Sequence, residues 1–415
     1  MAYTDFIAAI DLGTSHMVGM VGTKNATGAL SIIAYEVENS GTCIRRGCVY
    51  NVKETASKIK RLILKLENKL GGTKIGQVYV GLGGQSLRSI EHTVCKVLGT
   101  EGVVTEEIID SLYQECKDYR PDMLTVLDVV SPSYFLDDKP ESNPVGVPCS
   151  RIEARYKLIV GRPSLKLNIV NSISEQAKIE IAGILVSPLA LGDVVLSDNE
   201  KDLGCALIGF GAGVTTISVY KGGKLASLSV VPFGGNLITK DITNLRVVES
   251  EAERLKITYG SAKADRDNDM TIQVSLADGM GLREIKLAEL NGVIEARMDE
   301  ILENVYARLE ATGLMSVLGA GIVITGGGAA LKNLPAVMSE RLKMEVRYSA
   351  VRKGVVASGD LVVASNPEYA VAVGLLAKGT KNCALYIPPK PEPKIEPVVE
   401  PEPTVEPTPE PEPVK

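Results

Sequence analysis

The residues with the clearest chemical potential lie near the N-terminus, in Ile10-Asp11-Leu12-Gly13-Thr14-Ser15-His16. An apolar run delivers a carboxylate to a strand end, and a tight turn with two hydroxyls follows. Backbone N–H groups in such a turn converge and form a nest for an anion. Thr14 and Ser15 add donors. Asp11 beside phosphate oxygens would hold Mg²⁺ through water, because Mg²⁺ keeps much of its hydration. A second turn, Gly209-Phe210-Gly211-Ala212-Gly213-Val214-Thr215, lacks most β-carbons and so lets backbone approach a phosphate. A third, Ile324 to Leu331, runs a strand into Gly326, Gly327 and Gly328 and then into a helix start. Helix starts favour anions, and flat glycine backbone can receive a purine face. Taken singly, each turn is explained as well by an ordinary strand connection. Their recurrence in one chain is the stronger signal.

The elements that must position these turns repeat. Phe6 to Tyr35 and Leu203 to Val231 each read as strand, Gly/Ser/Thr turn, strand, hairpin turn, strand. Aligning their first glycines sets Asp11 against Gly209, Gly13 against Gly211 and Ser15 against Gly213. Such self-similarity predicts two related lobes by internal duplication. Between the strands, helical patterns cover Glu54–Leu70, Thr105–Tyr119 with Thr105 as N-cap, Ser174–Ala182, Leu237–Tyr259, Asn291–Thr312 and Tyr369–Lys378. Strands are expected at Gln77–Leu82 and Ile322–Thr325. Strands alternating with helices define an α/β protein.

Composition excludes several classes. The chain has 415 residues and a formal charge of −6, of which Pro388 to Lys415 carries −4 with seven Glu and three Lys. The rest is near neutral, which gives no electrostatic reason to bind nucleic acid, and the absence of Trp argues against an aromatic base platform. Seven scattered cysteines with no CxxC pair, and only His16 and His92 beside them, speak for reduced thiols in a cytosol rather than a zinc site. Neither a signal peptide nor a run of about 18 apolar residues occurs. The last 28 residues hold 11 of the 21 prolines. They are too polar to offset ordering entropy and read as a disordered, stiff spacer reaching roughly 85 Å when extended. The cationic, amphipathic Glu54–Leu70 pattern fits an anionic membrane surface, though a lobe helix with a solvated basic face is the better reading.

Together the three turns and the duplication resemble the actin-like nucleotide-binding superfamily, and within it the FtsA family of bacterial cell-division proteins. The resemblance runs from about Phe6 to Ile387. It is carried by Val78–Glu91 (VYVGLGGQSLRSIE), Gly102–Ile108 (GVVTEEI), Asn143–Glu153 (NPVGVPCSRIE), Pro232–Ile242 (PFGGNLITKDI), Ala252–Gly260 (AERLKITYG) and Ile294–Leu302 (IEARMDEIL). It implies two ribonuclease-H-like lobes clamping ATP or ADP with Mg²⁺. Gly13, Thr14, Ser15 and His16 would form the first phosphate loop and Gly211, Ala212 and Gly213 the second. Gly235, Glu253 and Lys256 would face ribose and adenine, and Gly326, Gly327 and Gly328 the adenosine. Asp11 would be the metal-holding and catalytic carboxylate. The implied boundaries are 1–83, 162–198 and 366–387 for the first lobe, with an inserted subdomain at 84–161. The second lobe would take 199–236 and 314–365, with an insertion at 237–313, and 388–415 would be the linker.

The resemblance also implies function and partners. The family polymerises, tethers filaments of the tubulin homologue FtsZ to the cytoplasmic membrane at the division site, and recruits further division proteins, here through 84–161. An exposed Arg297 with Glu300 would meet the acidic FtsZ C-terminal tail. Two residues depart from the family pattern. His16 stands where a lysine is usual, and Gly209 where an Asp is usual, so at most weak ATP hydrolysis is expected. Such chains usually end in a membrane-binding helix. Here the linker is present and that anchor is missing, so either the chain stops short of it or the protein works differently. A small-molecule kinase of the same superfamily and a pilus-assembly actin-like protein are the alternatives.

Overall fold

The computed structural model describes residues 5–99, 102–275, 281–357 and 366–385. The expected spacer at 388–415 lies outside the described residues.

The chain opens with the meander β1 (Ile7–Leu12), β2 (His16–Lys24) and β3 (Leu30–Asn39), followed by the two-residue strands β4 (Ile44–Arg45) and β5 (Cys48–Val49). Helix α1 (Val52–Lys69) begins where the Asn51 side chain accepts from the Glu54 N–H at 3.1 Å, satisfying an amide the helix cannot pair itself. It ends at Leu70, before Gly71 and Gly72 turn left-handed. Ile59, Leu62, Ile63 and Leu66 bury its apolar face. Arg61 and Lys65 on the basic face pair with Glu38, and Lys69 pairs with Glu36, so β3 carboxylates neutralise that charge. Strand β6 (Gln77–Leu82) then enters the sheet.

Strand β7 (Arg88–Val97), helix α2 (Glu106–Asp118) and strands β8 (Thr125–Leu136), β9 (Lys139–Glu141) and β10 (Arg151–Gly161) form a separate sheet, ordered β7-β10-β8-β9. It has its own apolar cluster, with Leu112, Cys116, Ile152, Tyr156 and Leu158 at its centre. Thr105 caps α2 as the sequence predicts.

Helix α3 (Ser164–Val170) continues as a π-helical turn, Asn171–Ala177, and leads to β11 (Glu180–Val186) and α4 (Ser187–Val195). The expected helix at Ser174–Ala182 is therefore cut short. Lys178 takes a left-handed turn, and the apolar run behind it adds a parallel strand instead. A short apolar run has the same composition in either state. The first sheet thus reads β11-β6-β1-β2-β3.

After α5 (Asp198–Leu203) the pattern recurs. Strands β12 (Cys205–Phe210), β13 (Thr215–Lys221) and β14 (Lys224–Val231) form a second meander. The expected Leu237–Tyr259 helix is two, α6 (Gly235–Ile242) and α7 (Glu249–Tyr259), parted by a 3₁₀ turn and by Arg246 at φ 59°. A hairpin of β15 (Thr271–Ser275) and β16 (Leu282–Lys286) precedes α8 (Leu287–Glu310). Strand β17 (Ile322–Thr325), helix α9 (Leu334–Leu342) and strand β18 (Val346–Tyr348) complete the second sheet, ordered β14-β13-β12-β17-β18. Helix α10 (Ala370–Lys378) returns to pack on the first sheet beside α4. In each sheet the central strand pairs antiparallel with the meander and parallel with the strand on its other side.

Candidate functional site

In parallel sheets, ligands gather beyond the carboxyl ends of the strands. The first turn lies at that end of β1. Ser40 Oγ donates to the Gly13 carbonyl at 2.7 Å, and the Ser40 N–H donates to Ser15 at 2.9 Å, fixing the turn against the end of β3. The Gly47 N–H donates to Thr14 Oγ1 at 2.9 Å, which leaves the hydroxyl proton of Thr14 available to a ligand. Ser15 Oγ lies 2.9 Å from His16 Nδ1. Burial pushes the Asp11 carboxyl up to about 6, against the Leu12 N–H that donates to it and lowers it. A desolvated carboxylate of this kind gains most from a cation placed beside it.

The second turn faces the first. A β-carbon at Gly213 would fall 2.6 Å from Thr14 Oγ1 and 2.9 Å from the Arg46 Cα, so glycine is what lets the two turns meet. The same turn caps the start of α6. The Gly235 N–H donates to Gly211 at 3.0 Å, and the Asn236 N–H donates to Ala212 at 2.8 Å. Both amides are thereby engaged within the protein. Lys256 bridges α7 to this point. Its Nζ donates to Glu253 at 2.7 Å, to Thr239 Oγ1 at 2.8 Å and to the Gly235 carbonyl at 3.2 Å. The amine is mostly buried, whereas 43% of the Glu253 side chain stays exposed and available.

The glycine triplet sits beside the second turn. Gly326 takes φ 86°, and a β-carbon there would fall 2.5 Å from the Phe210 carbonyl oxygen. A β-carbon on Gly328 would fall 2.9 Å from Phe210 Cβ, and Gly327 faces Glu368. The sequence suggests a helix starting at the triplet. The structure has a 3₁₀ turn, Gly327–Ala330, with α9 beginning only at Leu334. The anion-attracting force of a long helix start is therefore absent here, and backbone free of β-carbons is what the triplet offers.

The Gly13–His16 turn and the Gly211–Gly213 turn thus meet through Thr14 and Gly213, while Asp11 lies in the strand behind the first turn, beside Gly81. Gly235, Glu253 and Lys256 line one side, and Gly326 to Gly328 adjoin through Phe210. Arg297 and Glu300 stand apart on α8. Arg297 is not the free, exposed cation the sequence suggests. Its guanidinium is clamped by Asp241, at 2.5 and 3.2 Å, and by Glu300, with a quarter of the side chain exposed. The sequence does not mark Arg46, which the β4–β5 turn carries to the junction of the two glycine turns. Its one sequence signal is the Arg45-Arg46-Gly47 step. Two surface depressions of about 520 and 480 Å³ lie elsewhere, beside β11 and β18. Among the described residues no cluster of three or more His, Cys, Asp or Glu side chains could hold a metal. No helix there is long and apolar enough to cross a membrane.

Two similar lobes meeting at paired glycine turns are the architecture of the actin-like proteins. The chain superposes on a chain of the PilM-PilN type IV pilus biogenesis complex with a TM-score of 0.62 at 16% identity, covering 89% of this chain and 97% of that one. For MreB5 of Spiroplasma citri bound to ADP the TM-score is 0.53 at 14% identity, covering 89% and 95%. In sequence it is 39% identical over 382 residues to the cell division protein FtsA of Porphyromonas gingivalis, covering 92% of this chain and 79% of that protein. It is 32% identical over 392 residues to that of Bacillus subtilis, covering 93% and 86%. The family model described as Cell division protein FtsA matches residues 206–374. The chain belongs to the FtsA family of actin-like cell-division proteins.

Proposed function

We propose that the chain binds ATP or ADP with Mg²⁺ between its two five-stranded sheets and uses the nucleotide to stabilise a closed, self-assembling form. One observation carries this reading. Gly213 of the second lobe rests on Thr14 of the first, so the two glycine turns meet. Thr14 and Ser15 hydroxyls and the amides of Ala212 and Gly213 would bind phosphate oxygens. Glu253 would accept from ribose, and the bare backbone of Gly326 to Gly328 would support the purine. A single desolvated carboxylate, Asp11, suits Mg²⁺ only when phosphate and water supply its other oxygens. Bound there, the ion would offset phosphate charge. Nucleotide shifts the conformational equilibrium only by its differential affinity for the closed form.

Turnover is slow in this reading. Gly209 offers no carboxylate, and a β-carbon there would lie 2.7 Å from Thr216 Oγ1. The polymer would hold the FtsZ C-terminal tail at the inner face of the membrane at the division site. Its contacts to other division proteins would run through the subdomain bounded by 84 and 161. Because Asp241 already engages Arg297, the tail would compete for that guanidinium, with Glu300 the exposed member of the pair. Sedimentation of the purified chain tests the proposal. Pelleting should increase with MgATP, and a peptide of the FtsZ C-terminus should co-pellet. Pelleting unchanged by nucleotide, with no peptide carried down, overturns it.

A further inference from the structure

The described basic side chains are not equivalent. Lys256 is engaged by Glu253 and Thr239. The arginines Arg151, Arg155, Arg254, Arg297, Arg341 and Arg347 each pair with at least one carboxylate. Arg46 has no such partner among the described residues. Its Nη1 donates to the neutral Gln85 Oε1 at 3.2 Å, and the side chain is exposed. An amide orients a guanidinium without cancelling its charge.

Its backbone is held in place under strain. Arg46 takes φ 49°, a left-handed conformation that disfavours a side chain, although Gly47 follows directly. The Gln85 N–H donates to the Arg46 carbonyl at 3.1 Å. Gly47 stacks on Gly84 so closely that a β-carbon on Gly47 would lie 3.0 Å from the Gly84 Cα. Strain of this sort persists where the surroundings over-determine it, and it concentrates at functional sites. The outcome is an unneutralised arginine whose Cα touches Gly213 of one lobe and whose neighbour Gly47 binds Thr14 of the other. Gln85 follows β6, so the pair lies at the carboxyl end of the first sheet, on the side of Asp11.

We propose that Arg46 is the residue that recognises the terminal phosphates of a nucleoside polyphosphate in this cleft. A guanidinium presents parallel N–H donors to two phosphate oxygens and keeps its charge at any working pH. Gln85 is the positioning residue that aims it. The inference rests on the nucleotide reading above and assigns that site its preference for triphosphate over diphosphate and nucleoside.

Calorimetric titration of the full chain with MgATP, MgADP and adenosine tests it, using the parent, Arg46→Gly and Arg46→Lys. Glycine adopts the left-handed turn freely, so Arg46→Gly should melt no lower than the parent. Loss of one charge-assisted contact should weaken MgATP by about tenfold or more. MgADP should weaken less, and adenosine should be unchanged. Arg46→Lys should recover part of the loss. Parent-like MgATP affinity in Arg46→Gly overturns the proposal alone, as does an equal loss for adenosine, which marks a merely structural residue. A parent that binds none of the three ligands overturns the nucleotide reading itself, and this inference with it.

Discussion

The two lobes share a scaffold but not a chemistry. In the first sheet, the register of β1 with β6 sets Asp11 beside Gly81. In the second, Gly209 lies beside Thr325 on one side and Thr216 on the other. The glycine has changed strands. Each row has room for only one set of side chains. A β-carbon at Gly81 would fall 3.1 Å from Asp11 Oδ1 and 2.5 Å from Ser187 Oγ, and one at Gly209 would fall 2.7 Å from Thr216 Oγ1. The first lobe therefore presents a carboxylate and the second presents hydroxyls. The repeated meander supplies two glycine turns, and divergence at one row decides which lobe carries charge there.

Removing that charge should have the largest effect. Asp11→Asn is expected to weaken MgATP about 100-fold, since the metal loses its protein carboxylate, while metal-free affinity changes little. The nucleotide-free fold should respond in the opposite sense. The Asp11 pKa is raised to about 6 by desolvation. The stability it contributes is therefore full below about pH 4 and is lost as pH rises through 6. The parent should lose up to about 3 kcal/mol more than Asp11→Asn between pH 4 and pH 7. Chemical denaturation across that range checks the sign. A parent that grows more stable over the interval, relative to the variant, would show the carboxylate to be compensated within the fold.

Gly209→Asp would give the second lobe a carboxylate like the first. The new β-carbon meets Thr216 Oγ1, so a cost of about 1–3 kcal/mol is expected, recovered in part by adding Thr216→Ala. If the missing carboxylate is what limits turnover, phosphate release under saturating MgATP should rise about 100-fold in the double variant, the lower end of the gain from a positioned general base. Unchanged release would place the limit in the first lobe or in lobe closure.

Much of this architecture is legible in the sequence. Strand-to-turn patterns carry local information, so β1, β6, β12, β17 and the paired turns follow from apolar runs and glycines. Thr105 capped its helix as read, because a cap is decided within four residues. Three other features depend on tertiary context. Ser174–Ala182 reads as helix, yet Ile181 to Val186 gains more as a parallel strand beside β6. Leu237–Tyr259 conceals a break at Arg246, whose left-handed turn has no glycine to announce it. Arg46 reaches the cleft only because Gly47 and Gly84 stack across a fold that brings residues far apart in sequence together. The mutual exclusion of side chains at Asp11/Gly81 and Gly209/Thr216 is a matter of register, which composition does not reveal.

The smallest effect concerns hydroxyls that find no partner. Ser187 Oγ in the first lobe and Thr325 Oγ1 in the second are buried with no hydrogen-bond partner among the described residues, one against Gly81 and the other beside Gly209. A buried hydroxyl left unpaired costs free energy, and replacing it with an apolar isostere removes that cost. Thr325→Val and Ser187→Ala should therefore each raise stability slightly, by about 0.5–1 kcal/mol, in the nucleotide-free chain. The lobes should separate once ligand is present. Ser187 lies against the Asp11 row, so Ser187→Ala should also weaken MgATP about threefold by removing a donor to the charged carboxylate that the metal engages. Thr325→Val has no charge to serve and should leave MgATP affinity unaltered. Melting curves with and without MgATP read both quantities on the same samples. Equal ligand effects from the two substitutions would mean that the rows are not divided into a charged half and a neutral half, because the hydroxyl of the second lobe would then be acting on the same ligand as that of the first.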